Sequence, residues 1–249
     1  RTPKTLKDNH EEYEFLKELN ADLAIVCAYG QIIPENFLNL TKKGFVNIHA
    51  SILPSWRGAA PIQRSIMNLD PETGISIMKI KKELDSGPVS NIYKIKIDQN
   101  QNAQEISEKL SALAAEKILD NVDDILEDKA KFIDQDHSKA TYAKKIDKEE
   151  SRIDWDEDAS KIIGKINGLF PSPGASFSFN GERYKILKAE IGNGIGQVGE
   201  IISNQLEVAC NKNQSIKILE IQRQGKRPQK ISEFMLGSQI KKGSKLSNV

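Results

Sequence analysis

A chain of 249 residues can hold one large domain or two small ones, each able to bury a core of its own. Hydrophobic residues make up 38% and charged residues 29%, an ordinary globular composition, and no run approaches the ~18 apolar residues of a membrane span. The net charge of +1 hides an asymmetry: residues 211–249 carry nine Lys or Arg against two Asp or Glu, whereas the remainder carries 27 against 33.

The opening "RTPKTLKDNHEEYEF" has neither an initiator Met nor the apolar core of a signal peptide, and reads as a fragment or processed product. "EEYEFLKELN" has helical spacing through Phe15, Leu16 and Leu19. "ADLAIVCAYG" is a short continuous apolar run closed by Gly30, the pattern of a strand buried on both faces, with Cys27 as a small buried residue. Cys27 and Cys210 are too few for a disulfide framework or a cysteine-rich zinc site, and a reducing compartment fits. "PENFLNL" starts a helix at Pro34, "GFVNIHA" is a second buried strand, and "PIQRSIMNL" is a helix behind Pro61. This alternation predicts an α/β domain with a parallel sheet.

"GISIMKIKKELDSGPVSNIYKIKI" reads as two strands joined by a turn containing Asp85, Ser86, Gly87 and Pro88. A long amphipathic helix follows from about Asn102 to Asp128, with Asn102 and Glu105 as an N-cap pair. Its inward face carries Ile106, Leu110, Leu113, Ala114, Ile118, Val122 and Ile125. Asp120, Asp123, Asp124 and Glu127 fall mostly on its wet face. Residues 129–153 are polar and aperiodic, the signature of a linker. From about residue 172, short strands alternate with Gly and Asn turns, which predicts a small barrel, decorated by the helix "ISEFMLG" and the closing "KKGSKL". The domains are then 1–130, a linker at 131–153, and 154–249.

Chemistry concentrates in "VNIHASILPSWRGAAPIQRSI", residues 46–66. Asn47 and His49 lie two apart on a strand, so they share a face, and ligands of open α/β sheets sit at strand carboxyl ends. An amide there can stabilise an oxyanion and an imidazole can move a proton. The same pair also suits a polar strand end with a hydrogen-bonded His, and these two residues alone do not decide. The loop adds a hydroxyl at Ser51, stiffness at Pro54, and Gly58, where another group can approach the backbone, with Trp56 and Arg57 between them. Such a loop suits a flat heteroaromatic ligand held by main-chain groups and apolar side chains. Asp85 is a third candidate, able to fix the imidazole tautomer, though an Asp before Gly87 also simply starts a turn. His10 and His137 read as surface histidines.

"AYGQIIP", "NIHASILPSWRGAAPIQRSI", "LDSGP", "YAKKIDKEESRIDW" and "LEIQRQGKRPQKISEFMLG" together resemble the methionyl-tRNA formyltransferase family, from about residue 3 to residue 246. Asn-x-His with a later Asp belongs to all 10-formyltetrahydrofolate-dependent formyltransferases. "WRGAAPIQRSI" joined to "ESRIDW" and a C-terminal β module is the narrower signature. The resemblance implies a Rossmann-like formyltransferase domain followed by an OB-like barrel. It assigns catalysis to Asn47, His49 and Asp85, and folate binding to Ser51, Ile52, Leu53 and Pro54. Ile52 stands where the family usually has Leu, and Glu83 where it often has Gly.

The implied reaction is formyl transfer from 10-formyltetrahydrofolate to the α-amino group of methionine on initiator tRNA, without a metal, by a cytoplasmic enzyme, monomeric, with no membrane partner (mitochondrial if organellar). The resemblance also implies that the chain lacks the family's first βαβ segments, and so predicts weak folding or weak folate binding. A polyanionic tRNA matches the basic C-terminal stretch, with Lys212, Lys217, Arg223, Lys226, Arg227 and Lys230 as phosphate partners and Lys144, Lys145 and Lys148 as weaker ones.

Two other functions compete. One is formyl transfer to a small amine such as glycinamide ribonucleotide or an amino sugar, which needs no polyanion surface. The other is RNA binding without catalysis, against which the intact Asn47, His49 and Asp85 speak. "GIGQVG" at 194–199 fits a dinucleotide pattern but lies between strand-like runs rather than opening a helix. The triplets at Asn39 and Asn213 match the glycosylation pattern by chance.

Overall fold

The computed structural model describes residues 1–246, so the last three residues of the expected 154–249 domain lie outside the described residues. The chain divides into two compact units. The first comprises residues 1–61, 72–96 and 108–145, the second residues 62–71, 97–107 and 146–249.

The first unit begins with α1 (His10–Glu18), capped by the Asn9 side chain accepting from the Glu12 N–H. Next come β1 (Ala24–Cys27), α2 (Glu35–Leu38, with Pro34 one position before the helix), β2 (Phe45–His49) and β3 (Arg57–Gly58). Helix α3 (Pro61–Met67) carries the chain into the second unit. β4 (Glu72–Lys79) and β5 (Val89–Lys96) return to the first.

The sheet order is β1-β2-β4-β5. β1 and β2 are parallel, whereas the two later pairings are antiparallel, so the sheet is mixed. Residues 80–88 turn the chain back from β4 to β5. A Cβ on Gly87 would stand 1.8 Å from the Lys79 carbonyl oxygen, so only glycine lets the chain turn back this tightly.

β1 differs from expectation. Its burial alternates, Ile25 is 46% exposed and Cys27 is exposed rather than buried. β1 pairs only with β2 among the described residues, and α1 buries no residue. An apolar run reports what a segment would bury, not whether cover is present. β2 and β4 do have cover, and Val46, Ile77 and Ile125 form a small core with Tyr93, Ile118 and Phe132 packed around it.

Helix α4 (Ala103–Leu126) starts where the sequence predicts. The Asn102 N–H donates to Glu105 at 2.9 Å and the Glu105 N–H to Asn102 at 3.0 Å, a reciprocal cap that contributes about 1 kcal/mol. Ile106, Leu110, Ala114 and Ile125 are buried, and the four acidic residues near its end are exposed. Residues 129–145, read as linker, are ordered parts of the first unit: β6 (Tyr142–Ala143) pairs with β3, and Gln135 is buried. Most of their polar side chains face solvent, while Gln135 turns inward to make specific hydrogen bonds.

The second unit has one large core. Helix α5 (Ala159–Leu169), not anticipated from sequence, turns Ile162, Ile166 and Leu169 fully inward. β7 (Ser176–Phe179), β8 (Glu182–Gly192), β9 (Glu207–Cys210), β10 (Gln214–Arg223) and β11 (Gln229–Lys230) make an antiparallel sheet of order β11-β10-β8-β7, with β9 also on β10. α6 (Ile231–Gly237) follows. Trp155, fully buried, meets Phe177 edge-on at 5.9 Å, and Phe177 stacks on Tyr184 at 5.4 Å.

"ESRIDW" is structural here. Glu150 takes a two-pronged bond from Arg64 at 2.5 and 2.9 Å, which holds its carboxyl below the usual range. Ser151 accepts from Arg183 at 3.0 Å, and Ile153 and Trp155 enter the core. A Cβ on Gly168 of α5 would lie 2.6 Å from the Met67 side chain, so glycine sets the α3–α5 approach. The glycines of "GIGQVG" serve packing as well: at Gly199, with φ +78°, a Cβ would meet the Leu246 carbonyl oxygen at 2.4 Å.

Candidate active site

β2 ends in Asn47 and His49, and its pairing with β4 sets His49 opposite Ser76. His49 is 6% exposed. Its Nε2 lies 2.9 Å from the Trp56 carbonyl oxygen, and its Nδ1 lies 3.6 Å from Asp85 Oδ2. A carbonyl only accepts, so the short bond requires a proton on Nε2. In the neutral ring Nδ1 is then the free base, and it faces a carboxylate able to stabilise the imidazolium formed on protonation. Asn47 is half-buried, and its side chain takes no hydrogen-bond partner among the described residues. Its amide is therefore available to a ligand.

The loop after β2 is folded on itself. The Ser51 hydroxyl, fully buried, donates to the Ser55 carbonyl oxygen at 2.6 Å, and the Ser51 N–H donates to the His49 carbonyl oxygen at 2.9 Å. Ser76 ties the loop to β4, donating to the Ser51 carbonyl oxygen at 2.6 Å while accepting from the Leu53 N–H at 3.1 Å. Leu53 is buried, whereas Ile52 and Pro54 are half-buried. The hydroxyl expected to meet a ligand is thus spent inside the loop. A ligand can still meet the apolar surface of Ile52 and Pro54, the Ile52 N–H, which takes no partner among the described residues, and the second lone pairs of the carbonyls.

Asp85 sits in the left-handed region, φ +45°, and Glu83, where the family often has Gly, does not have positive φ. The Asp85 carboxylate accepts from the Gly58 N–H at 2.8 Å through the oxygen that faces His49. Gly58 has φ +123°, and a Cβ there would stand 2.7 Å from the Ala143 carbonyl oxygen, so the close approach expected at this glycine is that of β6.

Sequence reasoning missed the groups that hold the trio. Gln135 donates to the Asp85 and Gly87 carbonyl oxygens at 2.9 and 2.7 Å, and accepts from Arg57 at 3.1 and 2.7 Å. Arg57, 3% exposed, also donates to His137 Nδ1 at 3.3 Å, so exposed His137 does more than face solvent. Thr141 accepts from the Trp56 N–H at 2.9 Å. A Ser inside the apolar run "GISIMKI" was a legible signal for Ser76. Gln135, in a polar stretch, gave none.

The expected phosphate partners lie in the second unit except Lys144 and Lys145. Lys212, Arg223, Lys226, Arg227 and Lys230 are exposed and Lys217 is half-buried. Lys212 pairs with Asp158 at 2.7 Å and Arg223 pairs with Glu182. A cavity of about 530 Å³ is lined by Arg223, Lys226, Arg227, Tyr184 and Phe234 among others. Burial and the hydrogen bond to Glu182 push the Tyr184 phenol up to about 12, and that bond, with Arg223, lowers the Glu182 carboxyl.

Residues 2–122 match the family described as Formyl transferase, and residues 145–239 match the family described as Formyl transferase, C-terminal domain. The methionyl-tRNA formyltransferase of Pelagibacter ubique is 66% identical over 249 residues, all of this chain and 80% of that protein. That of Dictyoglomus turgidum is 41% identical over 255 residues, 99% of this chain and 81% of that protein. Among solved structures, HypX from Aquifex aeolicus in complex with tetrahydrofolic acid superposes with a TM-score of 0.70 at 18% identity, over 94% of this chain and 41% of that one.

Proposed function

The chain belongs to the formyl transferase family, and on that premise we propose that it formylates methionyl-tRNA, taking the formyl group from 10-formyltetrahydrofolate. The observation that carries the reading is the trio of Asn47, with an unengaged amide, His49, with one nitrogen committed to a carbonyl, and Asp85 beside the other. The folate supplies an acyl carbon already activated on N10. Ile52 and Pro54 present an apolar surface of the kind a flat pterin needs, and the loop that carries them is pinned by Ser76.

His49 Nδ1 takes the proton lost by the methionine α-amino group as that nitrogen attacks the formyl carbon. The Asn47 amide donates to the oxyanion as the carbonyl oxygen becomes tetrahedral. Asp85 stabilises the imidazolium until the proton passes to N10, the carbon–N10 bond breaks and the new amide is complete. Asn47 and His49 hold their relative positions because both lie on one face of β2.

Lys226, Arg227 and Lys230 offer the second unit's exposed charge to the tRNA backbone. Initiator tRNA is the acceptor and the cytoplasm of a bacterium the setting. An Asn47→Ala/His49→Ala double variant tests this. It loses formyl transfer while binding tRNA as the unchanged protein does. Near-normal turnover by that variant would overturn the assignment of roles, and equal loss of binding would mean that these residues hold the RNA instead.

A further inference from the structure

Asp85 must keep its carboxylate toward His49 from a left-handed backbone conformation, φ +45°, which few non-glycine residues adopt although aspartate is among those that do so more often. Nothing in its own turn does this, because Ser86 donates back to Glu83 and leaves the Asp85 and Gly87 carbonyls unanswered within the turn. Both are answered by one side chain. Gln135, 8% exposed, gives one amide to two carbonyls two residues apart, at 2.9 and 2.7 Å. A two-toothed bond of this kind fixes the turn in rotation as well as in position.

The amide can do so only if its own orientation is fixed. Arg57 fixes it, since Nε and Nη2 both donate to Gln135 Oε1, at 3.1 and 2.7 Å. A guanidinium cannot accept, so a flipped amide would set N–H against N–H. Arg57 is next in sequence to both Trp56, whose carbonyl oxygen holds His49 Nε2, and Gly58, whose N–H holds the Asp85 carboxylate. Gln135 therefore closes a ring that ties the Asp85 turn to the strand whose neighbours grip His49.

We infer that Gln135 is a positioning residue for formyl transfer, acting with Arg57 to hold the Asp85 carboxylate against His49. This rests on the reading of Asp85 as catalytic, and the test separates the two. Gln135→Glu keeps the shape and gives Arg57 a carboxylate partner, but cannot donate to the Asp85 and Gly87 carbonyls.

With this variant the expected result is a kcat lower by roughly 10- to 100-fold with KM for tRNA little changed, the pattern of lost alignment rather than lost binding. A second readout is the Gly58 amide proton in an isotope-labelled sample. It bonds the Asp85 carboxylate and moves upfield in the variant, while amides of the second unit stay in place. Gln135→Asn, which keeps an amide, recovers part of the loss. An unshifted Gly58 amide, or unchanged kcat with that amide shifted, overturns the inference. If Gln135→Glu does not fold, Arg57→Lys frees the Gln135 carbonyl and must reproduce both effects in weaker form; absence of either overturns it. Asp85→Asn is the control: if it retains full turnover, the reading of Asp85 is wrong, whereas the Gly58 shift still reports whether Gln135 positions the turn.

Discussion

The two units differ in where cohesion comes from. In the first, polar groups face one another. Ser51 and Ser76, both buried, bond the loop after His49, and buried Gln135, oriented by buried Arg57, bonds the Asp85 turn. In the second, an apolar core around Trp155, Ile162, Ile166 and Phe177 supplies cohesion, and Lys226, Arg227 and Lys230 face outward. A site made of directed bonds has few substitutes for any one of them. A surface made of charge spreads its effect over many, and single losses there are small.

The contrast can be broken first at the trio. His49→Ala and Asp85→Ala each lower kcat by roughly 10²- to 10⁴-fold, the span of a lost proton-transfer group, measured by single-turnover formyl transfer. An equally large loss from any one surface lysine would erase the distinction. Asn47→Ala costs about 10²- to 10³-fold in kcat. Because the Asn47 side chain bonds nothing else described, its melting temperature stays near that of the unchanged protein; a marked drop in calorimetry would show that the amide is structural.

Ser76→Ala removes two loop bonds and leaves the buried Leu53 N–H unanswered, a cost of about 1–3 kcal/mol. Denaturant unfolding reads that cost, and KM for folate should rise. In the second unit, Lys226→Ala lowers the slope of log affinity against log salt by about one while reducing tRNA binding only modestly. An unchanged slope means that Lys226 does not reach a phosphate.

The smallest effect is a pH dependence. Arg64 holds the Glu150 carboxyl below its ordinary value, so the pair stabilises the fold above the ordinary carboxylate range, and that contribution fades as pH falls through the lowered value. Glu150→Gln makes the acid limb of a stability-against-pH curve shallower; no change leaves the pair without influence.

How much of this was legible differs by region for physical reasons. A strand end followed by a glycine-bearing turn made Asn47, His49 and Asp85 candidates, but that local pattern left a structural reading open, and it was the resemblance to the formyltransferases that singled them out. The capping pair at Asn102 and Glu105 was legible from its local pattern alone. Gln135 was not, because its partners lie 48 to 78 residues away and its surroundings are as polar as any linker. β1 was misread because burial depends on neighbours that the run itself does not contain. α5 was passed over although Ile162, Ile163, Ile166 and Leu169 recur at helical spacing, hidden in a segment taken as the approach to a β module.

The central claim is that the trio of the first unit carries formyl transfer to an amine borne on tRNA. It is tested most directly by offering labelled 10-formyltetrahydrofolate with methionyl-initiator tRNA, glycinamide ribonucleotide and an amino-sugar nucleotide in parallel. The account predicts label in the aminoacyl-tRNA alone, abolished by His49→Ala. Label in a small amine but not in the tRNA, or transfer that survives His49→Ala, contradicts it.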